Sequence, residues 1–122
     1  MLIADADGAF RHLVRRYLGP GIVVVGEAGD GDEAIRLAQR LHPDVVLMDV
    51  AMPTIDGAEA ARQIKADRAE TKVVLLTSGR EPRGLLHADA LLVKEAVRGG
   101  MLAEARRTGE AARSAKRRRV RP

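Results

Sequence analysis

Residues 43–57 read Pro-Asp-Val-Val-Leu-Met-Asp-Val-Ala-Met-Pro-Thr-Ile-Asp-Gly, and this stretch decides the fold. Residues 45–48 form a short, unbroken apolar run rich in β-branched side chains, the pattern of a strand buried on both faces of a parallel sheet. Asp49 stands where the run ends, and the carboxyl ends of strands are where open α/β sheets bind ligands. A lone Asp at a strand end also reads as a helix cap or turn former. Its meaning therefore depends on what the other strands deliver to the same edge.

Upstream, residues 2–4 read as a strand, followed by Phe10, Leu13, Val14, Tyr17 and Leu18 at helical spacing and a stop at Gly19-Pro-Gly21. Residues 22–25 are predicted as the second strand. Ala34, Ile35, Leu37, Ala38 and Leu41 mark a second amphipathic helix, ended by Pro43. Downstream, residues 57–66 look helical, 73–76 and 90–93 are apolar strands, and a final helix is expected from Met101 onward. This strict alternation predicts an α/β fold with right-handed crossovers, a flavodoxin-like doubly wound sheet of five parallel strands in the order 2-1-3-4-5 with helices on both faces. The span from Ser78 to Ala90 is close to the minimum for a helical crossover. Gly79, Pro82 and Gly84 lie in it, so the fourth helix is expected to be short, at residues 83–87.

The strand ends supply Asp5 and Asp7, then Asp49, then Thr77 and Ser78, then Lys94. Carboxylates gathered at one edge repel one another, and a hard divalent cation such as Mg²⁺ relieves that repulsion. A lysine and a hydroxyl beside them suit phosphoryl oxygens, and an Asp in such a site can act as a nucleophile that forms an aspartyl-phosphate.

Composition agrees with one compact domain: 122 residues, 46% hydrophobic, with no apolar run longer than a strand. No membrane span or signal peptide is read. The absence of cysteine excludes a disulfide framework and thiolate metal sites and fits a reducing cytoplasm. The net charge of +4 hides an asymmetry. Residues 1–96 hold 12 Lys/Arg against 15 Asp/Glu, and residues 97–122 hold 9 against 2. Residues 113–121 carry six basic side chains in nine without aromatics, which reads as a solvated extension or as a salt-sensitive patch for nucleic acid, an acidic partner or a membrane surface. His12, His42 and His87 show no ligand spacing.

In this order and topology the site residues make the chain resemble the receiver domain of two-component response regulators, the CheY-like family. The resemblance covers residues 1 to about 107, leaving 108–122 as a basic helix extension or tail. Residues 49–57 match the segment around the family's phosphorylated aspartate, Leu75-Leu-Thr-Ser78 its hydroxyl position, and Leu92-Val-Lys94 its lysine. Residues 26–31 and 43–49 look most like receivers that carry a LuxR- or NarL-type helix-turn-helix output, which the residues remaining do not accommodate.

The resemblance implies that Asp49 accepts a phosphoryl group from a sensor histidine kinase or phosphotransfer protein. Asp5, Asp49 and the Ala51 backbone carbonyl would be Mg²⁺ ligands, Lys94 would pair with phosphoryl oxygens, and Thr77 would hydrogen-bond the phosphoryl group. Homodimers are common in the family. Its two adjacent acids after strand one are here Asp5-Ala6-Asp7, which implies a weakened Mg²⁺ site that Asp7 reaches only if the loop shifts at Gly8. Asp7 reads equally as an N-cap of the first helix. The family's aromatic switch position is Leu91. Three other readings follow from the same residues: a degenerate receiver acting as a phosphorylation-independent interaction module, the receiver part of a DNA-binding regulator, and a haloacid-dehalogenase-like phosphatase using Asp5. The last lacks the acids expected after its lysine.

Overall fold

A computed structural model describes residues 1–78 and 88–99. Its elements are β1 (Leu2–Ala4), α1 (Gly8–Tyr17), β2 (Gly26–Ala28), α2 (Gly31–Leu41), β3 (Val45–Asp49), α3 (Gly57–Asp67), β4 (Lys72–Thr77), β5 (Ala90–Val93) and a 3₁₀ helix (Lys94–Gly99). The strands form one parallel five-stranded sheet in the order β2-β1-β3-β4-β5. That is the doubly wound topology expected from the sequence. The expected short helix at 83–87, the helix from Met101 and the basic tail lie outside the described residues.

Successive strand side chains point to opposite faces, and the apolar residues divide accordingly. Leu2, Ala4, Val46, Met48, Val73 and Leu75 face α2 and α3, where Ala34, Ile35, Ala38, Ala60, Ala61 and Ile64 meet them. Ile3, Leu47, Val74 and Leu76 face the other way, onto Val14 of α1 and Val97 of the 3₁₀ helix, with Phe10 at the margin. Each fully buried Leu, Ile or Val contributes about 1.5–3 kcal/mol relative to exposure. Both faces are needed because a parallel sheet has no face suited to water. Among the described residues no helix is long and apolar enough to cross a membrane.

Three helix starts are capped by aspartates. Asp7, Asp30 and Asp56 accept backbone hydrogen bonds from Ala9, Glu33 and Glu59, each satisfying an N–H that lacks a helical partner. His42, in the left-handed region at φ 47°, closes α2 through its N–H to the Ala38 carbonyl, one residue before Pro43.

The second strand differs from expectation. The apolar run 22–25 is only its lead-in, and the paired residues are Gly26–Ala28. The partner dictates this: β1 begins at Leu2, whose register places it opposite Gly26. The lead-in runs beside the chain start instead, with the Met1 ammonium donating to the Val23 carbonyl (2.6 Å) and Val25 N–H to the Met1 carbonyl (2.9 Å). Val24 packs with Met1 under the sheet while Val23 is 71% exposed, so alternation persists although the strand register begins only at Gly26.

At the opposite end of the sheet from the site, Asp89 clasps three elements. Its Oδ2 accepts from Lys65 Nζ of α3 and from Val73 N–H of β4, both at 2.8 Å, and Lys72 Nζ lies 3.8 Å from Oδ1. Burial alone would raise the Asp89 pKa, but the Lys65 and Val73 hydrogen bonds and the two lysine charges outweigh it and hold it below the ordinary carboxylate value. A depressed folded pKa gives stability that is complete above the unfolded value of about 3.9 and is lost as pH falls through the folded pKa. We expect Asp89→Asn to lower unfolding free energy by about 1–3 kcal/mol at pH 7, and the gap to wild type to close progressively as urea titrations move below the unfolded carboxylate value of about 3.9.

Candidate functional site

The site is built by strand register. Ala4 of β1 lies opposite Met48 of β3, so the next residue on each strand, Asp5 and Asp49, emerges side by side at the carboxyl edge of the sheet. Both are buried, at 1% and 7% exposure. Asp5 N–H continues the ladder to the Ala28 carbonyl, while its Oδ1 accepts from Asp7 N–H (2.9 Å), turning the chain into α1. Asp49 Oδ1 accepts from Ala51 N–H (3.2 Å) in the same manner.

The counter-charge comes from Lys94, which follows β5. Its Nζ lies 2.7 Å from Asp5 Oδ2 and 3.1 Å from Asp49 Oδ2. Burial works against the ammonium, but its close contacts with the Asp5 and Asp49 carboxylates and their charges outweigh it, so the Lys94 pKa stands above the ordinary lysine value. The trio carries a net charge of about −1, which leaves it receptive to further positive charge.

Thr77 ends β4, one residue beyond Leu76, the register partner of Asp49. It is thus placed on the same edge, between the strands that carry Asp49 and Lys94. Ala51 lies on the exposed turn that follows Asp49. Asp7 is not gathered in: it is exposed, and its Oδ1 caps α1 by accepting from Ala9 N–H (2.9 Å). Ala6 is exposed as well. Leu91 packs, half-buried, against the α2 and α3 side of the core.

The oxygens present suit a hard divalent cation. Asp5 Oδ2 is buried and faces the ammonium but has no well-directed hydrogen bond, so its lone pairs are underused. The donor set fits Mg²⁺ with two protein carboxylates and retained water. Among the described residues no group of three or more acidic, His or Cys side chains comes together.

Sequence reasoning missed three supports of this edge. Arg11 donates from Nη1 to the Asp5 carbonyl (2.5 Å) and from Nε to Glu27 Oε1 (2.9 Å), tying the end of β1 to α1 and β2. Glu27 also accepts from Arg15, and these hydrogen bonds lower its pKa despite some burial. Gly57 allows the turn after Asp49 to close: a Cβ there would meet the Asp49 carbonyl oxygen and come within 2.8 Å of Val50 Cα. Gly31, at the start of α2, donates its N–H to the Pro53 carbonyl (3.3 Å), and a Cβ on it would strike the Ile55 carbonyl. Gly57 stood in the sequence as the start of the third helix and the end of the matching segment 49–57; the long-range approach of Gly31 had no local signal.

Comparison with known proteins gives concordant findings. The family model of the response regulator receiver domain matches residues 1–97. Response regulator protein VraR of Staphylococcus aureus is 48% identical over 90 residues, 72% of this chain and 43% of that protein. A protein-glutamate methylesterase/protein-glutamine glutaminase of Alkalilimnicola ehrlichii is 44% identical over 79 residues, 63% of this chain and 20% of that protein. The signal receiver domain of response regulator NarL from Mycobacterium tuberculosis superposes with a TM-score of 0.80 at 30% identity, covering 89% of this chain and 94% of that one. The chain thus spans less than half the length of these curated relatives.

If Lys94 neutralises both carboxylates, its removal should be less damaging once one of them is gone. Lys94→Met is expected to destabilise by about 2–3 kcal/mol, whereas the same change in an Asp49→Asn background should cost at least about 1 kcal/mol less. Denaturant unfolding of the four proteins of this cycle measures the coupling, and additive effects would show that the ammonium does not bridge the pair.

Proposed function

Since the chain belongs to the response regulator receiver domain family, we propose that it works in a two-component phosphorelay by accepting a phosphoryl group on Asp49. The observation that carries this reading is the single ammonium of Lys94 held against both Asp5 and Asp49. In the transfer, an Asp49 carboxylate oxygen attacks the phosphorus of a phosphohistidine on a sensor histidine kinase or phosphotransfer protein. The P–N bond breaks as the new P–O bond forms, and the histidine leaves with the electron pair. Lys94 then turns from Asp49 to the phosphoryl oxygens while Asp5 retains its other side. Thr77 hydrogen-bonds the phosphoryl group and draws the end of β4 toward it, converting a local charge change into a shift of the neighbouring surface.

Asp5, Asp49 and the Ala51 carbonyl would hold Mg²⁺, whose charge would offset that of the incoming phosphoryl oxygens. Asp7 would join only by giving up its cap on α1. We read the chain as a phosphoacceptor; the stretch shared with the methylesterase relative is a fifth of that protein's length, so that relative's activity is not carried over. We place it in the cytoplasm with its kinase. The receiver unit extends to about residue 107, with the basic residues 108–122 beyond it, and its output passes to a partner protein or to a DNA-binding segment of a longer regulator.

A second reading is favoured by one observation: Asp7 is committed to capping α1 and Ala6 is exposed. With two carboxylates only, the same fold would act as an interaction module that needs no phosphorylation.

Intact mass measured after incubation with Mg²⁺ and acetyl phosphate separates the two. A labile gain of one phosphoryl group is expected in wild type, none in Asp49→Asn, and uptake slowed roughly tenfold or more in Asp5→Asn or on chelation of Mg²⁺. A folded wild-type protein that gains nothing would support the interaction module instead.

A further inference from the structure

Lys94 has a third neighbour that carries no charge. The ring of Phe10, on the first turn of α1, lies with its centroid 4.5 Å from the Lys94 Nζ. We propose that Phe10 is a positioning residue for Lys94: the face of its ring holds the ammonium at the two carboxylates and serves as the pivot about which it turns to an arriving phosphoryl group.

The geometry supports this in three ways. An ammonium has three N–H donors. Asp49 Oδ2 at 3.1 Å takes one and Asp5 Oδ2 stands in ion-pair contact at 2.7 Å, and the ring is well within the distance of about 6 Å at which a π face attracts a cation. Phe10 is itself fixed, because it packs against the cluster of Ile3, Leu47 and Val97 on the face shared by α1 and the 3₁₀ helix. The ring is thus anchored by the core below while it meets the ammonium above. Finally, the kind of attraction matters. A third carboxylate would compete for the ammonium and add negative charge where a phosphoryl group must arrive. A ring quadrupole attracts without a directional lone pair, so the ammonium can move between Asp49 and phosphoryl oxygens without losing it.

The inference rests on the phosphoacceptor reading of Asp49 for its consequence, though not for its geometry. Phe10 is the only phenylalanine in the chain. Production of the full chain on mono-, di- or trifluorinated phenylalanine therefore withdraws π density at this one ring while nearly preserving its shape. Two quantities are followed: the rate of phosphoryl uptake from acetyl phosphate with Mg²⁺, and the Lys94 ammonium resonance in protein with nitrogen-labelled lysine.

Stepwise fluorination is expected to slow uptake at saturating acetyl phosphate by about two- to tenfold across the series. The half-saturating concentration and the unfolding midpoint should stay unchanged, and the ammonium resonance should lose its protection from exchange in the same order. Phe10→Leu should behave like the trifluorinated chain or worse, and Phe10→Trp should recover both readouts. Uptake and resonance indifferent to fluorination would overturn the proposal and reduce Phe10 to a core filler. If wild type takes up no phosphoryl group, the phosphoacceptor reading fails by itself, and the response of the resonance to fluorination still decides the role of Phe10.

Discussion

Two carboxylates buried side by side cannot both stay ionised without a cation between them, and the register that places Ala4 opposite Met48 makes Asp5 and Asp49 such a pair. Lys94 answers this constraint, and much of the architecture serves to bring it there. It starts two strands away from β3, beyond β4 and β5. A long, flexible stem is needed to reach the pair, on a backbone that turns back over the sheet edge as a 3₁₀ helix directly after β5. Val97 of that helix is buried against the underside of the sheet, so the turn is fixed by packing. At the far end of β5, Asp89 fixes where the strand begins through Lys65 and Val73.

The two faces of the sheet are packed differently, which bears on how the site is held. On the α2 and α3 side the contacts are largely alanines, Ala34, Ala38, Ala60 and Ala61, which let the helices lie close to the sheet and to each other. On the α1 side the larger Val14, Val97 and Phe10 meet the sheet. The side with an aromatic at its margin is the one on which Lys94 is steered; the alanine-rich side carries the turn that follows Asp49.

Much of this was legible in the chain. The run at 45–48 ending in Asp49 gave the central strand, because burial on both faces leaves no room for polar alternation. The alternation of strands and helices gave the topology, since parallel crossovers have one hand. Asp5, Asp49, Thr77 and Lys94 were legible as a set because all stand at strand ends. The second strand was misplaced by three or four residues, because hydrophobicity reports burial and not hydrogen-bond register: Ile22 and Val24 do point inward, but the register with β1 begins only at Leu2 and Gly26. Asp7 left two readings open, and the structure uses it as a cap. Phe10 was read only as a core position, because a local pattern cannot show that a lysine 84 residues later rests on its ring. The contact of Gly31 with Ile55 escaped notice for the same reason.

The turn between Asp49 and α3 is clamped from two directions, by Gly57 against the Asp49 carbonyl and by Gly31 against Ile55. Thr54 within it sits in the left-handed region at φ 66°, and the Ile55 N–H closes back on the Pro53 carbonyl. Such a segment is a spacer of fixed length. The lead-in at 18–25, by contrast, has exposed positions at Gly19, Gly21 and Val23. Sequence drift should therefore be lopsided in this fold: insertions and deletions can accumulate where the chain approaches β2, while the start of α2 is held to a fixed shape merely by touching the back of the turn that follows Asp49.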